Sequence, residues 1–250
     1  MKPRLWIILL AGMCIRTAGL HAQENLAYAV DTQKSLYQVD LTTATTTFIG
    51  TNAYLFLEGL ALSPTGQLFG TDVSGNLYRV NKTNGVTTLI GNTRLGDIEA
   101  LRFMGKTLLA FPNTGGTGKI YSLDTSTAKA TAVVTTKFVL GGIHAMAIAA
   151  DKSILISASL DRSGQLTYHS LYSIDLASGN VTFIGNMEVG TNISLAAMDF
   201  DSSRQLFGLD QNGNEWIINP TTAAVTLIGN TGGQFWLDMS TGAQPPAPVN

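Results

Sequence analysis

Short stretches in which apolar residues alternate with polar ones follow one another from Leu26 to Ser240, separated by clusters of Gly, Asn, Asp and Ser. Alternation at a period of two puts apolar side chains on one face of an extended chain, so each stretch predicts a half-buried β-strand. The strands favour Thr, Val, Ile, Tyr and Phe, whose branched or aromatic side chains suit a pleated surface. Helical periodicity is absent after the N-terminal segment. The breaks between strands carry their own explanation. In DVSGN (Asp72 to Asn76) and DQNGN (Asp210 to Asn214) an Asp can bond nearby backbone N–H groups, and a Gly stands where φ must be positive. NKTNG from Asn81 and DLASG from Asp175 repeat the arrangement in the following hairpin, so these Asp and Asn residues read as turn formers before they read as ligands.

The strands are copies. LYQVD from Leu36 returns as LYRVN from Leu77, IYSLD from Ile120, LYSID from Leu171 and EWIIN from Glu215, at intervals of 41, 43, 51 and 44 residues. Downstream of four of the five comes a Thr-rich strand ending in FIG or LIG (Phe48 to Gly50, Leu89 to Gly91, Phe183 to Gly185, Leu227 to Gly229), and the third copy has ATAVVT from Ala130 instead. A small-residue apolar strand follows (GLAL from Gly59, EALRF from Glu99, HAMAIA from His144, LAAMDF from Leu195), then a hydrophobic one such as QLFGTD from Gln67 or QLFGLD from Gln205. Four strands in a unit of this length predict an all-β, five-bladed β-propeller of four-stranded antiparallel blades. LAYAVD (Leu26 to Asp31) matches the second strand of a blade and FWLDMS (Phe235 to Ser240) the first, so the C-terminal strand 235–240 is expected to join the N-terminal strands and close the ring. Closure hides a sheet edge that could otherwise template aggregation.

The first 22 residues stand outside this pattern. Lys2 and Arg4 precede an apolar run from Leu5 to Ile15 and a small-residue region ending at Ala22, the order of a secretory signal and too short for a membrane span. The domain plan is therefore a signal peptide at 1–22, one propeller at 23–242 and a Pro-rich disordered tail at 243–250. Cleavage would remove Cys14, the sole cysteine, and leave a disulfide-free chain with 12 Lys plus Arg against 17 Asp plus Glu, a net charge of −5. No basic cluster remains to attract nucleic acid, and no segment of the mature chain could span a bilayer. A secreted or periplasmic monomer is expected. In its LYxVD, TxIG and GLAxxPxGxLFG strings the chain resembles bacterial secreted β-propeller repeat proteins of unknown function, over residues 26 to 240. That resemblance implies fold and export and says little about chemistry. The WD dipeptide of WD40 blades, the paired Gly of kelch repeats and the SxDxGxTW box of sialidases are missing.

Candidate chemistry lies where the copies disagree. Superimposed repeats place Glu58, Glu99, His144, Ala196 and Phe235 at the start of the innermost strand, near the mouth of the central channel. Glu58, Glu99 and His144 could hold a divalent cation as the candidate cofactor, or work as a general acid/base set; alternatively they solvate the mouth or bond a neighbouring blade. Two hairpins open on the same face, one Gly-rich (Asn113 to Gly118) and one long (Ser159 to Ser170), so Asp161, Arg162, Tyr168 and His169 could flank a ligand pocket over blades three and four. The Gly-rich hairpin lacks the Gly-Lys-Ser/Thr ending of a phosphate loop, His169 has no evident Ser partner, and Trp216 and Trp236 fall inside repeat strands as packing residues. Two functions are expected in competition. One is a non-enzymatic scaffold binding a partner protein, glycan or small molecule on the loop-bearing face. The other is a metal-dependent hydrolase or lactonase-like enzyme at the channel mouth.

Overall fold

A computed structural model describes residues 25–52, 55–113, 118–137, 141–160, 166–188 and 193–243. Its strands run β1 (Leu26–Asp31), β2 (Ser35–Asp40) and β3 (Thr45–Thr51); β4 (Gly59–Leu62), β5 (Leu68–Thr71), β6 (Asn76–Val80) and β7 (Thr87–Asn92); β8 (Ala100–Met104), β9 (Thr107–Phe111), β10 (Lys119–Leu123) and β11 (Ala130–Thr135). They continue as β12 (Gly141–Ile148), β13 (Ile154–Leu160), β14 (Leu166–Ile174) and β15 (Val181–Asn186); β16 (Leu195–Phe200), β17 (Leu206–Asp210), β18 (Asn214–Ile218) and β19 (Val225–Asn230); and β20 (Trp236–Ser240). These form five antiparallel four-stranded sheets, a five-bladed β-propeller. Blade 1 has the order β20-β1-β2-β3, so the last strand of the chain pairs with the first and closes the ring as the repeat count predicts. Residues 1–22, expected to be a signal peptide, and all but Ala243 of the Pro-rich tail lie outside the described residues.

Five hydrophobic clusters hold the ring, and each joins two neighbouring blades. Leu36 and Val30 of blade 1 pack with Leu60, Leu68 and Val80 of blade 2; Leu109 and Phe111 of blade 3 pack with Met146, Ile154 and Ile156 of blade 4. The last cluster joins Phe207 and Leu209 of blade 5 to Val39 and Trp236 of blade 1. Apolar burial contributes roughly 25 cal/mol per Å², so the blades stabilise one another chiefly through their faces. The small residues of the innermost strands, Gly59, Ala61, Ala145 and Ala197, are fully or nearly fully buried where five strands converge.

The glycine of the FIG/LIG signature has a tertiary cause. A Cβ on Gly91 would lie 2.9 Å from the Thr127 carbonyl oxygen in the hairpin of the next blade, and one on Gly185 would lie 2.7 Å from that of Thr222. Each outer strand is thus met by the following blade's turn. In blade 3, where ATAVVT has no glycine, the incoming turn supplies it: Lys137 N donates to Gly179 O at 2.8 Å.

The turn residues do what their sequence context predicts. Asp72 Oδ1 accepts from the backbone N–H groups of Ser74 and Asn76, and Asp210 Oδ1 from those of Asn212 and Asn214. Their Oδ2 atoms accept from the Tyr78 hydroxyl and the Trp216 indole N–H, both at 2.9 Å. Trp236 is fully buried, donates to Thr231 Oγ1 and meets Tyr37 edge-on at 5.4 Å between centroids. Both tryptophans are packing residues.

Candidate functional site

The innermost strands all start at one end of the ring, and the second strand of each blade turns back at that same end. Pairing defines which residues are equivalent there. In β12 the register slips between Ile143 and Ala145, leaving His144 as the extra residue of a bulge; Ala196 holds that place in β16. In β20, Asp238 pairs with Val30 and Trp236 with Asp31, which makes Leu237 the bulged residue. The fifth member of the mouth position is therefore Leu237, and Phe235 falls two residues earlier. A bulge adds one residue to one strand, re-aims its side chain and shifts the alignment of everything before it.

Glu58 leads into β4, Glu99 into β8, and His144 sits in β12, on three successive blades. Glu99 and His144 are joined directly: Glu99 Oε2 lies 3.0 Å from His144 Nδ1, with each side chain about one-fifth exposed. Asn113, at the start of the Gly-rich hairpin, locks this pair from behind. Its Nδ2 donates to Glu99 Oε1 at 2.8 Å, and its Oδ1 accepts from the Ile143 backbone N–H at 3.0 Å. On the other side of the ring, His144 Nε2 lies 3.0 Å from Ser159 Oγ, near the end of β13. The imidazole thus places one nitrogen against Glu99 and the other against Ser159. Among the described residues no three His, Cys, Asp or Glu side chains form a group that could hold a metal ion.

Glu58 is part of an acidic neighbourhood. Burial first, then the charges of Glu99, Asp97 and Asp72, push its carboxyl up to about 7. Burial and Glu99 push Asp97 up to about 6, against the stabilising Asn113, and Asp97 Oδ1 is buried without a hydrogen-bond partner. His169 is buried beside this set and stacks on His144 at 4.8 Å between centroids. Burial, and secondarily the His144 charge, push it down to about 4. Its Nδ1 lies 3.4 Å from Ser157 Oγ, a contact at the limit of a hydrogen bond.

Of the residues singled out in the sequence, then, Glu58, Glu99, His144 and His169 are brought to one end of blades 2 to 4. Tyr168 lies in β14, and its side chain is outside the described residues, as are Asp161, Arg162 and positions 114–117 of the Gly-rich hairpin. In its described residues the long hairpin extends the sheet: β14 has 9 residues where its counterparts have 6 (β2) or 5 (β6, β10 and β18). Asp97, Asn113 and Ser159 were missed. Asp97 was within reach, since it stands two residues before Glu99 and an extended lead-in points alternate residues the same way.

Deeper in the channel the structure holds a second, wholly buried charge cluster. Arg102 of β8 donates through its two terminal nitrogens to Asp238 Oδ1 and Oδ2 at 2.9 and 3.0 Å. The same nitrogens reach the carbonyls of Leu60 and Met198, and Nε lies 3.6 Å from Asp199 Oδ2. Asp238 also accepts from the backbone N–H groups of Leu60 and Met239, and Asp199 from those of Phe200 and Thr241. Arg102 therefore ties blade 3 to blades 1, 2 and 5 across the axis. Burial raises both carboxyls, while the guanidinium pulls them back down.

No protein-family model matches the chain, and no curated protein matches it in sequence. Solved structures do match. A propeller chain from the crystal structure of the nidogen/laminin complex superposes with a TM-score of 0.55 at 16% identity, covering 86% of this chain and 81% of that one. At this identity the likeness is one of fold.

Proposed function

We propose that the protein is an exported propeller scaffold that binds a ligand at the channel mouth of blades 2 to 4, the face bearing Glu58, Glu99 and His144. The observation that carries this reading is the partly exposed Glu99–His144 pair, held by Asn113 and Ser159 on a rigid ring. Scaffolds with fixed elements and pre-oriented polar groups make good binding sites. Export rests on the order of charges and apolar residues in 1–22. The nidogen propeller was crystallised in a complex with another protein, which supports a binding role for this architecture and leaves the partner of this chain open among protein, glycan and small molecule. No helix among the described residues is long and apolar enough to cross a membrane.

The test is calorimetric titration of the mature chain against panels of oligosaccharides, peptides and small esters. The double variant Glu58→Ala/Glu99→Ala is expected to lose the binding found for the parent while melting within a few degrees of it. Binding that survives the double substitution would move the site away from the mouth.

A further inference from the structure

Ser159, His144 and Glu99 form a continuous hydroxyl–imidazole–carboxylate relay, with 3.0 Å at both junctions. Each member comes from a regular element or its immediate lead-in: Ser159 from β13, His144 from the bulge of β12, Glu99 from the entry to β8. The carboxylate is held by Asn113, itself tied to the Ile143 backbone, so the base has an orienting group and that group has one of its own. Gly142 completes the arrangement. It has φ of +57°, and a Cβ there would fall on Ser159 Oγ and 3.3 Å from His144 Nε2, so only glycine leaves room for the Ser–His contact. The Ser159 hydroxyl has a longer alternative in the Gly142 carbonyl at 3.4 Å, and the imidazole is the nearer acceptor. His169 stacks on the imidazole and restricts its rotation.

From this geometry we infer that the mouth is an acyl-transfer site, with Ser159 as nucleophile, His144 as general base and acid, and Glu99 as the residue that positions and stabilises the imidazole. The inference rests on the mouth being the ligand site and names its ligand class as a carboxylic ester or lactone. Glu99 Oε2 accepts from Nδ1–H and so leaves the Nε2 lone pair facing the hydroxyl. Ser159 Oγ forms a bond to the ester carbonyl carbon as Nε2 takes the hydroxyl proton. The tetrahedral intermediate then breaks its bond to the leaving oxygen, which receives that proton from Nε2 and departs as the alcohol. Water, the second reactant, attacks the acyl-serine carbonyl with His144 again taking its proton. The C–Oγ bond breaks, Oγ is reprotonated, and the carboxylic acid is released.

The experiment treats the mature chain with a fluorophosphonate probe and with p-nitrophenyl acetate. Labelling at Ser159, mapped by peptide mass spectrometry, and ester turnover lost in Ser159→Ala are the expected results. His144→Ala should slow both by about 100-fold or more, the usual contribution of a positioned general base. Glu99→Gln should lower both, and Glu99→Asp should restore part of the loss, which a merely structural role of Glu99 would not predict. Thermal melts of every variant separate loss of chemistry from loss of fold. A folded parent that is neither labelled nor active, or labelling that persists in Ser159→Ala, overturns the relay. The titrations above keep the two readings apart: ligand binding without labelling defeats only the acyl-transfer inference, whereas absence of both defeats the mouth as a site.

Discussion

The channel of this propeller carries two groups of charged side chains, close together along the innermost strands and built on opposite principles. At the waist, Arg102, Asp199 and Asp238 are buried, and both oxygens of Asp238 take a guanidinium N–H and a backbone N–H. At the mouth, Glu58, Asp97, Glu99 and His144 are only partly buried, like charges face one another, and one oxygen of Asp97 has no partner. The buried Asp238 carboxylate, whose hydrogen bonds are complete, holds elements in register and has little left to offer a ligand, while Arg102 Nε stands 3.6 Å from Asp199 without a hydrogen bond. A partly buried set in which the Glu58 and Asp97 carboxyls are pushed up keeps protons and lone pairs in reserve, a pattern that functional sites often share. The waist is thus the part of the channel that ties the blades together, and the mouth the part proposed above as the ligand site.

The contrast can be broken most forcefully at the waist. Arg102→Met removes the guanidinium that pairs with Asp238 and faces Asp199 at the axis, and breaking a buried pair in this way costs about 3–5 kcal/mol. Urea unfolding should show that loss; a variant within about 1 kcal/mol of the parent would mean that the blades do not depend on the tie.

A third carboxylate sharpens the comparison. Glu215 of β18 is fully buried with both oxygens lacking hydrogen-bond partners, at the place held by Leu36, Leu77, Ile120 and Leu171 in the other copies. Burial, with a smaller contribution from Asp40, raises its carboxyl to about 8. A carboxyl that binds its proton more tightly in the folded state favours folding at low pH. That stability is lost as pH rises from the unfolded value of 4.5 toward about 8. The loss across this window is on the order of a few kcal/mol, since each pKa unit corresponds to about 1.4 kcal/mol. Glu215→Leu should flatten the decline and raise the melting temperature at pH 8 more than at pH 5. Equal melting shifts at both pH values would show that folding does not raise the carboxyl above its unfolded value.

The smallest effect is expected at the mouth. Glu58→Gln removes an ionisation that burial and three carboxylates oppose, so it should stabilise the fold slightly at pH 8 and leave it unchanged at pH 5. Solvent screening of a half-exposed group keeps this under about 1 kcal/mol. A destabilisation comparable to that of Arg102→Met would erase the distinction between mouth and waist.

Much of this was legible before any coordinates. The LYxVD copies mark the third strand of every blade, and FWLDMS against LAYAVD marks the closing pair, because strand alternation and turn chemistry are local properties of the chain. Glu58, Glu99 and His144 could be aligned for the same reason. The closing strand was misaligned by two residues, at Phe235 in place of Leu237, because its bulge is defined by pairing with β1 and leaves no local trace. Arg102 and Asp238 are 136 positions apart and meet only across the axis of a closed ring. Ser159 reaches His144 only because β12 and β13 pair with a bulge at that residue.

By itself, then, the sequence determined the unit, its count and the closure of the ring, since these follow from repeated local pattern. Which charges are silent and which are poised was decided only by the tertiary structure. Burial, hydrogen-bond saturation and the approach of one carboxylate to another are properties of what surrounds a side chain, and in this protein the surroundings of each channel residue come from other blades.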